Sequence, residues 1–496
     1  MLLAGLDIGT TGCKITVYSC DGDHIGRVYR EYQISRKTSE HEVDAALIWS
    51  CVQDILSEAA IKWPDICGIG VTSFGETFVL LDDTDQPLYN SMLYTDTRGQ
   101  VECEELSNKL GDFKLSNITG LNPHAMYSIS KLIWLKKNRP EIYDKAKRIC
   151  LMGDYIVYML TGTSQIDYSL ASRTMAFDIR NLKWSDDILE AAGINANLLP
   201  NPVPIGTQAG VVKPDLAEKI GFKNDVIIVN CGHDQVAAAV GSGVFDDKVA
   251  ADGAGTVECI TPVFTGIPEN NYLVEGNYSI VPYIIDGKYV CYAFTFTGGA
   301  AVDWFTENLA GFAAHEAAEK GTGLFTQLGG DDILDKPTGL LVLPHFAGGA
   351  TPYMDYGSKA AIVGLTLATT EQDIFFAIME GVCFEMRMNM ERLKKAGVSF
   401  DSLRASGGGA NSRAWMQMKA DILNVPVAAL LSHEAGGLGS AMMVGVNTGS
   451  FKDIFEAAKK MTGEREVFTP RPDISKLYDD IYSKYCMLYC AVRPLV

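Results

Sequence analysis

The sequence predicts an α/β protein of two domains, and three observations carry that expectation. The chain has 496 residues, more than one ordinary hydrophobic core organises, so two domains of roughly 200 to 250 residues are expected. Apolar alternation near the start gives strands joined by a tight turn, followed by helical periodicity and a further strand, the mixture that builds a sheet with crossover helices. A turn of similar composition then returns half a chain later: Asp7-Ile8-Gly9-Thr10-Thr11-Gly12 is answered by Asp252-Gly253-Ala254-Gly255-Thr256, 245 positions on. That repetition points to a distant internal duplication, with domains at 1–246 and 247–496.

The elements follow in order. Leu2 to Ile8 and Lys14 to Tyr18 alternate around Gly9-Thr10-Thr11-Gly12 and read as a β-hairpin. A third strand is expected near Gly26 to Gln33, an amphipathic helix over Ala45 to Lys62, and a strand at Ile66 to Thr72. An apolar strand, Ile227 to Cys231, ends in Gly232-His233-Asp234-Gln235 and leads into a small-residue helix, Val236 to Val240. The second hairpin covers Lys248 to Ile260. Leu340 to Leu343 reads as a buried strand and Glu371 to Ala396 as a long helix, whose Phe375, Ile378, Val382 and Met386 share one face and are core residues. A short strand, Leu403 to Ala405, ends in Gly407-Gly408-Gly409-Ala410-Asn411 ahead of a helix through Trp415 to Leu423. Strand, glycine loop and helix in succession is a nucleotide-binding arrangement, although glycine runs also make simple loops.

Composition narrows the partners. With 47% hydrophobic and 21% charged residues the chain reads as a globular protein. Its net charge of −19 repels phosphodiester backbones and anionic membranes, so neither nucleic acid nor membrane is expected as a partner. A compact phosphate ligand remains compatible, held by backbone N–H groups, local cations and a metal. The twelve cysteines are scattered without C-x-x-C or zinc spacing, and neither a signal peptide nor a membrane-length apolar run is visible, so the cytoplasm is the expected location.

Two aspartates stand where chemistry could occur. Asp7, beside a Gly/Thr turn with open backbone N–H groups, can hold Mg2+ and phosphate oxygens together, and Lys14 can add a point charge against a transferring phosphoryl group. The same residues also suit a plain hairpin turn. Asp234, at a strand end and a helix start, can accept a proton from a hydroxyl whose oxygen attacks phosphorus, or can serve as a helix cap; the two roles are compatible.

Two long segments then resemble one family. Met126-Tyr127-Ser128-Ile129-Ser130-Lys131-Leu132-Ile133-Trp134-Leu135-Lys136-Lys137-Asn138 and Ala360 to Glu380 match, in order, the two signatures of the FGGY carbohydrate kinases, members of the actin-like ATPase superfamily. Tyr94 to Arg98, Asp167 to Thr174, Gly232 to Gln235, Pro344 to Tyr353 and Gly407 to Asp421 extend the resemblance over nearly the whole chain. It implies two ribonuclease-H-like lobes around a central cleft, the first, 1–246, holding the sugar and the catalytic base and the second, 247–496, binding ATP. By motif match, Asp234 is the implied base, Asp7 the water-mediated Mg2+ anchor, and Thr11 and Lys14 phosphate-side residues. Gly255 and Thr256 resemble the second phosphate hairpin, and Gly408, Gly409 and Asn411 the adenosine loop. Glu76, Asp96 and Asp234 fall on positions that meet the sugar in relatives. ATP hydrolysis without sugar is expected to be slow, and homodimers are common in the family.

The sugar is less sharply indicated. Glycerol kinases carry Arg-Glu where this chain has Gly75-Glu76, and tyrosine where it has Met126; xylulose kinases typically show Met-His at 75 and 76. A carboxylate at Glu76 can accept bonds from neighbouring hydroxyls. A ketopentose such as xylulose or ribulose, phosphorylated at a terminal hydroxyl, is the expectation, with a polyol or another linear sugar as the alternative. Rivals of another class are an actin-like interaction ATPase, which lacks the sugar segment from Glu76 to Arg98, and a sugar sensor, which should have lost Asp234 and Asp7.

Overall fold

Alternation at the amino terminus produces β1 (Leu2–Ile8) and β2 (Gly12–Tyr18), paired antiparallel with Asp7 opposite Lys14, and β3 (His24–Glu31) beside β2. Helix α1 (Ala45–Lys62) starts where the Asp44 carboxylate accepts the Ala46 N–H. Its Ile48, Val52, Ile55, Leu56 and Ala59 recur at helical spacing and are buried. They share one core with Leu6, Ile8, Ile15 and Val17 of the hairpin. β4 (Ile66–Ser73) lies parallel to β1, β5 (Gln208–Val211) forms an antiparallel edge, and β6 (Ile227–His233) runs parallel to β4 and into helix α2 (Asp234–Gly241). The order across this sheet is β5-β6-β4-β1-β2-β3.

The computed structural model describes residues 1–38, 40–330 and 332–496. These divide into one unit of Met1–Gly243, Ser279–Val290 and Glu434–Thr462, and a second of Val244–Tyr278, Cys291–His433 and Gly463–Val496. Two late segments thus complete the first unit, and neither unit is a contiguous half of the chain. The helix Ala435–Asn447, absent from the sequence expectations, belongs to the first. It packs at backbone distance: a Cβ on Gly5 would lie 2.3 Å from the Gly437 carbonyl oxygen, one on Gly241 1.9 Å from that of Ala435, and one on Gly439 2.0 Å from that of Ala237. No side chain fits at those positions, and that is why β1, α2 and this helix are keyed together by glycine.

The second unit repeats the pattern with β7 (Val249–Ala254), β8 (Glu258–Thr265), β9 (Ala293–Thr295), the long helix α3 (Glu371–Lys395), β10 (Ser402–Ser406), helix α4 (Arg413–Leu423), β11 (Val427–Leu430) and β12 (Glu464–Phe468). Six strands of its sheet pair in the order β9-β8-β7-β10-β11-β12, with β7, β10 and β11 parallel and the outer pairings antiparallel. That is the order and sense of β3-β2-β1-β4-β6-β5, and Asp252 on β7 takes the place of Asp7 on β1. The duplication suggested by one repeated turn is therefore visible strand by strand. Helix α3 opens with a reciprocal cap between Thr370 and Asp373, and Phe375, Ile378, Val382 and Met386 are fully buried.

Candidate active site

In the first unit, side chains opposite one another across an antiparallel pair share a face, so Asp7 and Lys14 meet. Lys14 Nζ lies 3.4 Å from Asp7 Oδ2 and 2.5 Å from Glu434 Oε2. Burial raises the Asp7 pKa in spite of the nearby ammonium. Burial alone would lower that of Lys14, but Asp7 and Glu434 together outweigh it and hold the ammonium charged. The turn between them is tight: Gly9 N–H donates to the Gly12 oxygen at 2.9 Å, and Tyr32 N–H to the Thr11 oxygen at 3.1 Å. Thr11 itself is exposed. A Cβ on Gly12 would lie 2.4 Å from the Tyr29 hydroxyl.

Asp234 opens α2, where its Oδ1 accepts the Gln235 N–H at 2.7 Å. His233 Nε2 stands 3.3 Å from the same oxygen. The backbone beneath is fixed. Gly232 takes φ +90°, its carbonyl accepts the Thr72 hydroxyl at 2.8 Å, and His233 N–H donates to Ser169 Oγ. That serine in turn is held by Asp167, which caps its own short helix. About a third of the Asp234 side chain, 36%, reaches solvent. Desolvation by the surrounding protein, then the Asp7 and Glu76 carboxylates, still push its pKa up to about 7, against the Gln235 N–H and Arg173. Burial, with Arg173 adding to it, keeps His233 well below the ordinary histidine range and hence neutral.

Glu76 is buried and sits at φ +62°, a left-handed conformation that costs a non-glycine residue about 1–3 kcal/mol and persists only where the surroundings enforce it. Here Arg173 Nε donates to Glu76 Oε1 at 2.7 Å, with Nη2 on the same oxygen, and Ser128 Oγ donates to the Glu76 carbonyl at 2.6 Å. The Arg173 guanidinium lies over the Tyr127 ring at 5.2 Å. Gly75 leaves room for it, since a Cβ there would come within 2.7 Å of Arg173 Cγ. Tyr94 lies near enough to Glu76 and Asp234 for their charges, after burial, to raise its pKa. Asp96 is placed differently: its side chain has no exposed surface, and its oxygens accept the His41 N–H and three N–H groups of Arg98. Tyr94 and Arg173 lie in segments that carry the family resemblance but had no role assigned there, and Glu434 was not singled out at all, because only the folded chain brings them to the aspartates.

In the second unit the Gly255–Val257 turn is braced from its own side, as Gly299 N–H donates to the Gly255 oxygen at 2.8 Å and Gly298 N–H to that of Thr256 at 2.9 Å. Gly407 has φ +91° and packs where a Cβ would lie 2.7 Å from the Ala254 oxygen, and Gly409 also approaches Ala254. The glycine loop and the hairpin are thus in contact. Gly408 is the open member, with nothing within 4 Å of an added Cβ, and Asn411 Oδ1 accepts Arg465 Nη1 at 2.8 Å. Behind the hairpin, Lys419 of α4 bonds Asp252 and stands 3.0 Å from Glu258, all three side chains without exposed surface. Burial pushes the Glu258 pKa up to about 7 against the pull of Lys419. Among the described residues no group of three or more His, Cys, Asp or Glu is arranged to hold a metal, and no helix is long and apolar enough to cross a membrane.

Two family models match the chain. The N-terminal domain model of the FGGY family of carbohydrate kinases matches residues 2–241 and the C-terminal domain model residues 261–448. The chain belongs to that family: it is a carbohydrate kinase, transferring a phosphoryl group to an alcohol group, on the actin-like ATPase fold of two ribonuclease-H-like units. Among curated relatives, the xylulose kinase of Bacillus subtilis is 26% identical over 99% of this chain and 97% of its own length. The glycerol kinase of Symbiobacterium thermophilum is 31% identical over 94% of this chain and 93% of its own. Among solved structures, a ligand-bound xylulose kinase from Lactobacillus acidophilus shares the fold at TM-score 0.88 and 22% identity, covering 99% of this chain and 98% of that one.

Proposed function

We propose that this kinase phosphorylates a ketopentose such as xylulose or ribulose at a terminal hydroxyl, using ATP and Mg2+. The observation that carries the transfer step is the Asp234 carboxyl, fixed at the start of α2 beside the buried Glu76–Arg173 pair, with its pKa pushed up to about 7. At neutral pH such a carboxylate is ionised often enough to act and basic enough to take a proton. Asp234 removes the hydroxyl proton as the sugar oxygen bonds to the γ-phosphorus and the bond to the ADP oxygen breaks. Glu76, oriented by Arg173, accepts hydrogen bonds from sugar hydroxyls, and Asp96 supports that wall by fixing Arg98 and the His41 backbone. The division at 246/247 into a sugar-side and an ATP-side lobe, with Ser279–Val290 and Glu434–Thr462 returning to the first, is part of the same proposal, as are a cytoplasmic location and a homodimer.

On the phosphate side we assign Thr11 and Lys14 to the transferring group, Gly255 and Thr256 to the second phosphate turn, and Gly408, Gly409 and Asn411 to adenosine. The open surface at Gly408 supports that last assignment. Asp7 suits Mg2+, which favours oxygen ligands and is commonly held by one or two carboxylates together with substrate phosphates rather than by an all-protein cage. When bound, the ion neutralises charge that develops on the phosphate oxygens.

A second reading, a polyol including glycerol, is favoured by the identity to glycerol kinases. Against it, an arginine at position 75 would have to displace the Arg173 side chain. Mass spectrometry of products decides between them. Xylulose or ribulose is expected to become a monophosphate at least tenfold more efficiently than glycerol, since a site that hydrogen-bonds several hydroxyls discriminates against ligands lacking them. Preferred turnover of glycerol or another polyol would transfer the assignment to the second reading.

A further inference from the structure

Lys14 has two anionic partners. Its ammonium is 2.5 Å from Glu434 Oε2 but 3.4 Å from Asp7 Oδ2, the latter at the edge of hydrogen-bond reach. Glu434 is itself steadied: Arg27 Nη1 reaches its Oε1 at 3.3 Å, and the Tyr18 hydroxyl donates to its carbonyl at 3.3 Å. Immediately after it begins the helix Ala435–Asn447, which the glycine contacts hold against the strand that carries Asp7 and the helix that carries Asp234. The position of Glu434 is therefore set by close-packed backbone rather than by a loose side-chain contact.

We propose that Glu434 is a positioning residue of the phosphate side: by taking the Lys14 ammonium it keeps the Asp7 carboxylate available to hydrated Mg2+. The inference rests on the reading of Asp7 given above. With Glu434 uncharged, Asp7 is the remaining carboxylate paired with Lys14 among the described residues, and an ammonium drawn fully onto Asp7 competes with the ion for the same oxygens. The residue acts through Lys14 and makes no claim on substrate, so its effect vanishes when Lys14 carries no charge.

Calorimetric titration with ADP at a series of Mg2+ concentrations tests this without turnover. In Glu434→Gln, which keeps the side-chain shape, half-maximal enhancement of ADP binding is expected to need about tenfold more Mg2+, the lower end of what loss of an outer-shell partner costs a metal site. In the Lys14→Met background the same substitution is expected to leave the Mg2+ dependence within twofold. An unshifted dependence in Glu434→Gln, with Asp7→Asn shifted, overturns the role of Glu434 alone. A shift of equal size in the Lys14→Met background also overturns it, because the effect would not run through Lys14. An unshifted Asp7→Asn overturns the reading of Asp7 and the inference with it.

Discussion

Whether Asp234 works as a base is set by what surrounds one carboxyl. Desolvation and two neighbouring carboxylates raise it to about 7, so kcat/KM for the sugar is expected to rise with pH, tenfold per unit, and to level off above about pH 7. A pH-rate profile already flat from pH 5 to 8 would contradict that environment. The same shift has a thermodynamic sign. A carboxyl with a folded pKa above its unfolded value favours the folded state at low pH and loses that contribution as pH rises from about 4 through 7. Asp234→Asn is therefore expected to raise Tm relative to wild type at pH 8 and to leave it nearly unchanged at pH 4, checked by thermal melts. Asp234, Asp7 and Lys14 were legible in the sequence because each lies within a few residues of a glycine turn at a strand end. Arg173 and Glu434 were not, since Arg173 meets Glu76 across 97 positions and Glu434 meets Lys14 across 420. No local pattern marks such pairs.

At the scale of elements, glycine decides how closely the site-bearing pieces approach. Gly241→Ala would drive a methyl to 1.9 Å from the Ala435 oxygen, and a backbone neighbour yields little. We expect a loss on the order of 3 kcal/mol or more, the upper range for overpacking, seen as a sharply lower denaturation midpoint. Gly311→Ala, at a helix start with nothing within 4 Å, is expected to be neutral or to stabilise by about 0.5 kcal/mol through the unfolded chain. Equal effects from the two would contradict the packing described. Strands and helices with a clean period were readable in advance. Ala45–Lys62 forms the helix expected there, and Ser402–Ser406 extends the expected strand by one residue at each end. The helices between Gln100 and Tyr143 were not expected, because their burial is irregular and depends on what they pack against; Pro472–Val492 was not expected either, although Tyr478, Tyr482, Tyr485, Leu488 and Val492 recur at helical spacing and are buried.

In the molecule as a whole, duplicated units put one carboxylate to two uses. Asp7 and Lys14 keep 18% and 28% of their side-chain surface exposed, whereas Asp252 and Lys419 keep none. Removing a fully buried partner strands the charge it neutralised, so Lys419→Met is expected to cost about 3–5 kcal/mol in chemical denaturation. Lys14→Met is expected to cost about 1 kcal/mol or less. Comparable losses would mean that the two ion pairs are not in different environments. The one repeated Asp-Gly-Thr turn disclosed the duplication, but not that its second copy is sealed by a lysine 167 residues further on.

The most direct test of sugar-dependent transfer through Asp234 is the time course of ADP release with Mg2+-ATP, comparing wild type with Asp234→Asn, with and without xylulose or ribulose. Release in wild type is expected to depend on the sugar, and to fall at least about a hundredfold in Asp234→Asn. Sugar-independent release in wild type, or a variant that retains turnover within about tenfold of wild type, would contradict the account.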